Sequence, residues 1–413
     1  MREKTRFLVF GQPLIEESDI REVEESLRAA WLGTGPKVAQ FERLVSGYKG
    51  VKHAIAVSSC SAGLHLSCLA LGLEPGDEVI TTPLTFCATV NAIIHAGGTP
   101  VLADIDPRTM NIDPAEIRKR ISPRTKALLP VHFGGRPCEM SDIMAIARQH
   151  GIRVIEDCAH AIETMYHGRY AGTFGDCGVL SFYSTKNVTT GEGGMILTND
   201  DTLAEWMKLM SQQGMSDDAW QRFSASGYKH YEVVEVGFKY NMMDLQAALG
   251  IHQIQRVARC WQRREELWNR YNDGLASLPL ELPSEPKTGT RHALHLYTIL
   301  VDPERCGITR DELIFRLHQQ NIGTGVHYRQ IADHPIYRQR FGWRPEQWPH
   351  AERVSRQTLS LPISAKLTDG DVEDVIDAVW NALGRRRQKR SSDRLRGSAP
   401  QPLVQRAGAT PTE

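Results

Sequence analysis

Three short segments hold residue types whose order suits them to chemistry on a bound ring. In Ser181-Phe182-Tyr183-Ser184-Thr185-Lys186-Asn187 a lysine closes an apolar run among hydroxyls, and Thr189-Thr190-Gly191-Glu192-Gly193-Gly194 follows as a Gly-rich turn. A lysine amine is a useful nucleophile toward carbonyls only when burial or a neighbouring cation lowers its pKa. Glycines let backbone come close to a ligand. The plain alternative for Lys186 is a solvated loop lysine. Asp157 closes Val154-Ile155-Glu156-Asp157. A carboxylate there can lie under a bound ring and keep a pyridine nitrogen protonated, so that the ring accepts electrons from a carbanion; a capping aspartate would look the same. Ser58-Ser59-Cys60-Ser61-Ala62-Gly63 sets small and hydroxyl residues between a strand and a helix. Free N–H groups at a helix start, with a hydroxyl, make a phosphate cradle, although serine clusters are also ordinary N-caps.

The elements that must position these segments follow from periodicity. Residues 54–58, 78–82, 100–104, 127–132, 153–157 and 179–183 are short β-rich runs, and 62–71, 87–96 and 140–150 between them are amphipathic. Strands alternating with helices of that length predict a largely parallel sheet covered on both faces. Ligands on such sheets bind beyond the carboxyl ends of the strands. A long helical pattern over residues 243–275 leads into a second unit with a strand at 296–301, a helix at 310–320, a Gly-rich segment at 322–328 and a final helix at 370–383. The division predicted is a large ligand-binding domain over 1–250, a small C-terminal domain over 251–384, and a tail over 385–413.

At 413 residues the chain is too long for one ordinary core. Its 49 basic and 49 acidic side chains cancel, so net charge gives no argument for nucleic acid or membrane. The balance conceals a basic tail: residues 385–413 carry eight Lys/Arg against two acids, leaving the body at −6. That tail is poor in apolar residues and reads as disordered. Eight cysteines stand singly with no C-x-x-C pair, which predicts neither structural zinc nor any other metal site. With no signal-peptide core and no apolar run of spanning length, a cytoplasmic protein with no membrane partner is expected.

Taken together, Asp157-Cys158-Ala159-His160-Ala161, the Lys186 segment and Gly191-Glu192-Gly193-Gly194 resemble the nucleotide-sugar aminotransferase family, the DegT/DnrJ/StrS group. The resemblance runs from Trp31-Leu32-Gly33-Thr34-Gly35-Pro36 to about Leu383 and includes Pro83-Leu84-Thr85-Phe86, Pro130-Val131-His132 and Gly237-Phe238-Lys239-Tyr240-Asn241-Met242. It implies the type I fold of pyridoxal 5′-phosphate (PLP) enzymes: an α/β, mainly parallel seven-stranded sheet with helices on both faces, plus a smaller α+β C-terminal domain. It implies Lys186 as the Schiff-base lysine, Asp157 as the partner of the ring nitrogen, Phe86 stacked on the ring, and His160 near the ring oxygen. The Cys60 backbone and the Ser61 and Ser181 hydroxyls would grip the phosphate. Relatives commonly have Gly at position 60 and Thr at 61; Ser61 keeps the hydroxyl. A residue of the opposite subunit also reaches the phosphate in this family, from the segment where Lys239 and Asn241 stand. Relatives often have Asn and Arg at these two positions. A homodimer with shared active sites follows.

The implied reaction is ping-pong transfer of an amino group from glutamate to a keto-sugar, commonly nucleotide-linked, in amino-sugar biosynthesis for surface polysaccharide, lipopolysaccharide or a secondary metabolite. Residues 304–311 and 322–329 and the Lys239-Tyr240-Asn241 variant resemble the branch that aminates UDP-4-keto-pentoses. Phe86 departs from that branch, where Trp is usual, and the loop over 211–231 diverges. His327 and Arg329 are candidate sugar or diphosphate contacts, a satisfied loop histidine being the alternative. Competing functions are a PLP-dependent sugar dehydratase, a non-catalytic regulator on the same fold, and a Rossmann dehydrogenase. Relatives with dehydratase chemistry carry His in place of the lysine. No recognition helix is visible for a DNA-binding regulator, and no G-x-G-x-x-G follows the first strand.

Overall fold

In the computed structural model, which describes residues 6–215 and 232–387, short apolar runs assemble one central sheet. The chain enters through α1 (Glu17–Arg28) and α2 (Pro36–Lys49). It then alternates β1 (His53–Val57), α3 (Cys60–Ala70), β2 (Glu78–Thr81), α4 (Cys87–His95), β3 (Thr99–Leu102), α5 (Pro114–Arg120), β4 (Thr125–Leu129), α6 (Met140–His150) and β5 (Arg153–Cys158). A hairpin, β6 (Met165–Tyr166) and β7 (Arg169–Tyr170), precedes β8 (Cys177–Ser181), β9 (Gly194–Thr198) and α7 (Asp201–Ser211). Seven strands pair in the order β1-β9-β8-β5-β4-β2-β3, and only β9 runs antiparallel to its neighbours. Helices cover both faces, so β2 and most of β5 are buried along their length and lack the alternation of a half-exposed strand.

The six expected strands all form, with shifted ends. β4 stops at Leu129 because Pro130 has no N–H for the ladder; pairing resumes only as an isolated bridge between Val131 and Asp157. β9 was not anticipated, since Gly193-Gly194 at its start carries the signature of a turn. The expected helix over 243–275 is two helices, α8 (Asp244–Gln255) and α9 (Val257–Leu275). Arg256 leaves helical geometry between them (φ −101°, ψ 9°), and its guanidinium docks on Asp19 and the Leu14 carbonyl.

The remaining chain builds β10 (Thr290–Arg291), which extends the β6–β7 hairpin, then β11 (Tyr297–Leu300), α10 (Pro303–Cys306), α11 (Arg310–Gln319), α12 (Pro335–Phe341), α13 (Pro349–Gln357), β12 (Thr358–Leu361) and α14 (Asp369–Ala382). β11 and β12 pair antiparallel, and α9, α11 and α14 pack a core there that includes Tyr271, Tyr297, Leu317, Leu361 and Ile376. Leu8 joins this core from the N-terminus, its N–H donating to the Asn321 carbonyl and its carbonyl accepting from Gly323. The first residues of the expected tail are docked: Arg387 bonds Glu373 and Asp377 on α14. The rest of the tail, 388–413, and most of the divergent loop, 216–231, lie outside the described residues. All eight cysteines are free thiols. Among the described residues no helix is long and apolar enough to cross a membrane.

Candidate active site

Alternation along β5 decides which of two adjacent carboxylates reaches a ligand. Glu156 is fully buried and accepts from His132 Nε2 (3.1 Å) and from the N–H groups of Gly172, Phe174 and Gly175 at 2.6–2.9 Å. Burial pushes its carboxyl up, but the His132 contact and the glycine N–H groups outweigh this and hold it below the usual range. His132, Glu156 and Cys158 lie close enough to share a metal ion. Four donors already saturate the Glu156 carboxylate, so the cluster reads as a structural pin. Asp157 points the other way, into a cavity of about 400 Å³. Its Oδ2 accepts from the Thr89 hydroxyl at 2.8 Å and its Oδ1 from the Ala159 N–H at 3.0 Å; Thr89 is itself 2.7 Å from Thr85 Oγ1. Burial raises the Asp157 pKa, opposed by these two donors and by the positive charge of Lys186.

Lys186 lines the same cavity from the turn after β8, where its N–H bonds the Tyr183 carbonyl at 2.9 Å. Burial lowers its amine from an ordinary 10.5 to about 8, against the opposing pull of Cys60 and Asp157. A solvated loop lysine would keep its ordinary value; this amine is instead lowered by burial at the cavity wall. Lys49 is also buried and lowered to about 8 by burial, but its amine bonds the Ala161 and Ile162 carbonyls and faces no cavity with Asp157.

The serine-rich segment forms the start of α3. Ser59 is the N-cap, its side chain accepting from the Ala62 N–H at 3.1 Å, which leaves the N–H groups of Cys60 and Ser61 without intrahelical partners. β9 runs beneath this turn: a Cβ on Gly194 would lie 2.5 Å from the Ser59 carbonyl carbon and 2.6 Å from Cys60 N. Only glycine allows the strand and the cradle to sit so close. Cys60 is buried, and burial together with Asp157 pushes its thiol well up, so it stays neutral. Ser61 and Ser181 line the cavity with it.

Phe86, the N-cap residue of α4, lines the cavity and is 58% exposed, an open aromatic face. His160 Nδ1 accepts from the Gly134 N–H at 3.1 Å, so Nε2 carries the proton and donates to the Tyr328 hydroxyl at 3.0 Å. Burial first, then the charges of Lys186, His295 and His327, hold His160 well below its ordinary pKa and therefore neutral.

His327 also lines the cavity, lies 2.9 Å from Ser360 Oγ through Nδ1, and is lowered to about 3 by burial and by Lys186. Arg329 is not brought there; it pairs with Asp333. Lys239 and Asn241 do not line the cavity of their own chain. Lys239 Nζ donates to Asn241 Oδ1, and Asn241 Nδ2 to Thr34 Oγ1, both at 2.6 Å, beside the end of β1. Four lining or supporting residues carry no role in the sequence reading: Thr89, Tyr183, Glu192 and Tyr328. The available signal was proximity, since Tyr328 follows His327 and Thr89 lies one helical turn after Thr85.

These groups fit PLP. A buried carboxylate suits a ring nitrogen, a depressed amine suits an aldehyde, an open helix start with hydroxyls suits a phosphate, and Phe86 offers a face for the ring. The DegT/DnrJ/EryC1/StrS aminotransferase family matches residues 13–380. The chain is 47% identical over 380 residues to the spore coat polysaccharide biosynthesis protein SpsC of Bacillus subtilis, covering 92% of this chain and 98% of the relative. Among solved structures, the PLP form of the putative sugar aminotransferase Spr1654 from Streptococcus pneumoniae superposes with a TM-score of 0.84 at 27% identity, covering 92% of this chain and 99% of the other. DesI in the presence of its TDP-sugar product superposes with a TM-score of 0.82 at 31% identity, covering 93% and 94%.

Proposed function

The chain belongs to the DegT/DnrJ/EryC1/StrS aminotransferase family and is a PLP-dependent sugar aminotransferase; from that premise we propose that it moves an amino group from glutamate to the keto group of a nucleotide-linked sugar. The observation that carries the proposal is the convergence of Lys186, with its amine lowered to about 8, and the buried Asp157 on one cavity. The nucleotide linkage is supported by the likeness to DesI, whose structure holds a TDP-sugar.

Bound in this cavity, PLP supplies the carbonyl that takes the amino group and the ring that disperses the electron pair left at the donor's α-carbon. Lys186 would hold the cofactor through its amine and, when that amine is free, would serve as the base that moves the proton at the substrate carbon. Its lowered pKa leaves a sizeable unprotonated fraction near neutral pH. Thr89 and Ala159 oppose the burial that raises the Asp157 pKa, and the ionised carboxylate would keep the ring nitrogen protonated. The Cys60 and Ser61 N–H groups with the Ser61 and Ser181 hydroxyls take the phosphate. Neutral His160 fixes the Tyr328 hydroxyl at the cavity wall, and His327 contacts the sugar side of the substrate.

The working unit in this proposal is a two-fold dimer in which Lys239 reaches the partner's phosphate. Asn241 is engaged at both ends, whereas the Lys239 ammonium retains further N–H groups. The surface beside it supports an interface: Trp31, Leu32, Val233, Val234, Val236 and Met243 are all exposed, and the 31–34 segment is tied to 242–244 by Thr34–Met242 and Gly33–Asp244 bonds.

The test is a panel of keto-sugar nucleotides and free keto-sugars with glutamate, read as 2-oxoglutarate formed, with Lys186→Ala as control. Turnover on a nucleotide-linked ketone, lost by about 10³-fold in Lys186→Ala, is expected. Turnover of free sugars alone would remove the nucleotide, and an active Lys186→Ala would remove the lysine's role.

A further inference from the structure

A second, much smaller cavity lies behind the loop that carries Lys186. Residues 11–14, 185–187 and 363–365 enclose it with Gln253, Arg256, Cys260 and Arg264. It leaves about 20 Å³ in which the centre of a water-sized sphere can move, more room than a single water fills. Five buried side-chain polar atoms among the described residues have no hydrogen-bond partner. Three of them belong to residues lining this one cavity: Gln253 Nε2, Arg264 Nε and Ser364 Oγ.

The side chains concerned cannot turn away to find partners. Arg264 is 3% exposed and its Nη2 is held by the buried Glu163; Gln253 is 6% exposed and its Oε1 accepts from the Thr189 N–H at 2.9 Å. The orphaned atoms are two fixed N–H donors and a hydroxyl that can also donate. A water molecule in their midst would have to donate its own two hydrogens, and Ser364 Oγ alone of the three accepts. No carboxylate lines the cavity, whereas Lys186, Arg256 and Arg264 do. Arg256 and Arg264 are balanced on their other sides by Asp19 and Glu163. An amino acid exceeds the space, and a single-atom anion needs the least of it.

We propose that this cavity binds one chloride-sized monovalent anion, held by Gln253 Nε2–H, Arg264 Nε–H and the Ser364 hydroxyl. The anion ties α8 and α9 to Ser364, and because Gln253 also holds the Thr189 N–H, its occupancy steadies the chain just after Lys186. The site does not depend on which amino donor or sugar the enzyme uses.

The test uses the full chain crystallised with sodium bromide in place of chloride and diffraction data collected at the bromine edge. An anomalous peak within hydrogen-bonding distance of the three atoms is expected. In solution at constant ionic strength, bromide or chloride should raise Tm by about 2 °C over methanesulfonate, which is too large to enter. Gln253→Glu keeps the Thr189 bond and turns Nε2 into a carboxylate oxygen; it should abolish both the peak and the halide response. Ser364→Ala should weaken the halide response about tenfold in concentration, and it carries the test if the first variant does not fold. Ordered water without anomalous signal at this place, or a halide response unchanged in either variant, overturns the proposal.

Discussion

Replacing Thr89 by valine removes one hydroxyl and leaves side-chain volume almost unchanged. That hydroxyl lies 2.8 Å from Asp157 Oδ2, and the two residues are 1% and 4% exposed. A hydrogen bond to a charged group is worth about 1.5–3 kcal/mol. At about 1.4 kcal/mol per pKa unit, losing it raises the Asp157 pKa by about one to two units. The ionised carboxylate is the form that keeps a ring nitrogen protonated, so PLP affinity should fall about 10- to 100-fold. The sign for pH follows directly. Asp157 gains its proton as pH falls through its pKa, so a raised pKa brings that loss on earlier, and the acidic limb of kcat/KM moves to higher pH by about one unit or more. Equilibrium dialysis measures the affinity, and initial rates between about pH 5 and 9 measure the limb. Thr89→Ser restores the oxygen and should restore both, which a loss of packing alone would not do. A Thr89→Val enzyme with wild-type PLP affinity and an unmoved acidic limb would refute the reasoning.

Capture of PLP by the apoenzyme should speed up with rising pH and level off near pH 8, as the Lys186 amine loses its proton; a rate still climbing toward the ordinary lysine range in stopped-flow absorbance would show that the amine is not depressed. Glu163→Gln leaves the Arg264 guanidinium buried with its charge uncompensated, and urea unfolding should show a loss of about 3 kcal/mol with no change in slope. A shift below the error of the fit would mean that the pair contributes little. Mixing inactive Lys186→Ala subunits with weakly active Lys239→Ala subunits should regain activity, because one site of each hybrid dimer then has both groups. A mixture no more active than the mean of its parents, or an active monomer by light scattering, would defeat the shared-site proposal.

The parts of the site legible in the sequence sit where a strand meets a turn. Lys186 after β8, Asp157 at the end of β5 and Ser61 at the head of α3 each stand out because a reactive or hydroxyl side chain interrupts an apolar run. Their convergence required only the rule that a parallel sheet gathers its ligand contacts at one edge. The parts that were not legible arrive from elsewhere in the chain. Thr89 bonds Asp157 across 68 positions and Tyr328 bonds His160 across 168, and neither separation leaves a periodic trace. Hydrophobic pattern alone carried the helical reading through Arg256, because the break there is made by a tertiary ion pair with Asp19. β9 was hidden for the opposite reason: the two glycines that open it are needed for close approach to α3, and in sequence they look like punctuation.

The antiparallel pairing of β1 with β9 constrains when the enzyme can come into being. β1 lies at the rim of the sheet and its one neighbour lies roughly 140 residues later in the chain. The Cys60–Ser61 turn that follows β1 rests on Gly194 of that same late strand. During synthesis, then, the first strand and the turn behind it must wait, unpaired, until residue 198 has left the ribosome, at about 5–20 residues per second. Through that interval β1 presents a free apolar ladder to its surroundings. Nascent or truncated chains ending before β9 should neither retain a phosphate ester nor stay soluble without a chaperone.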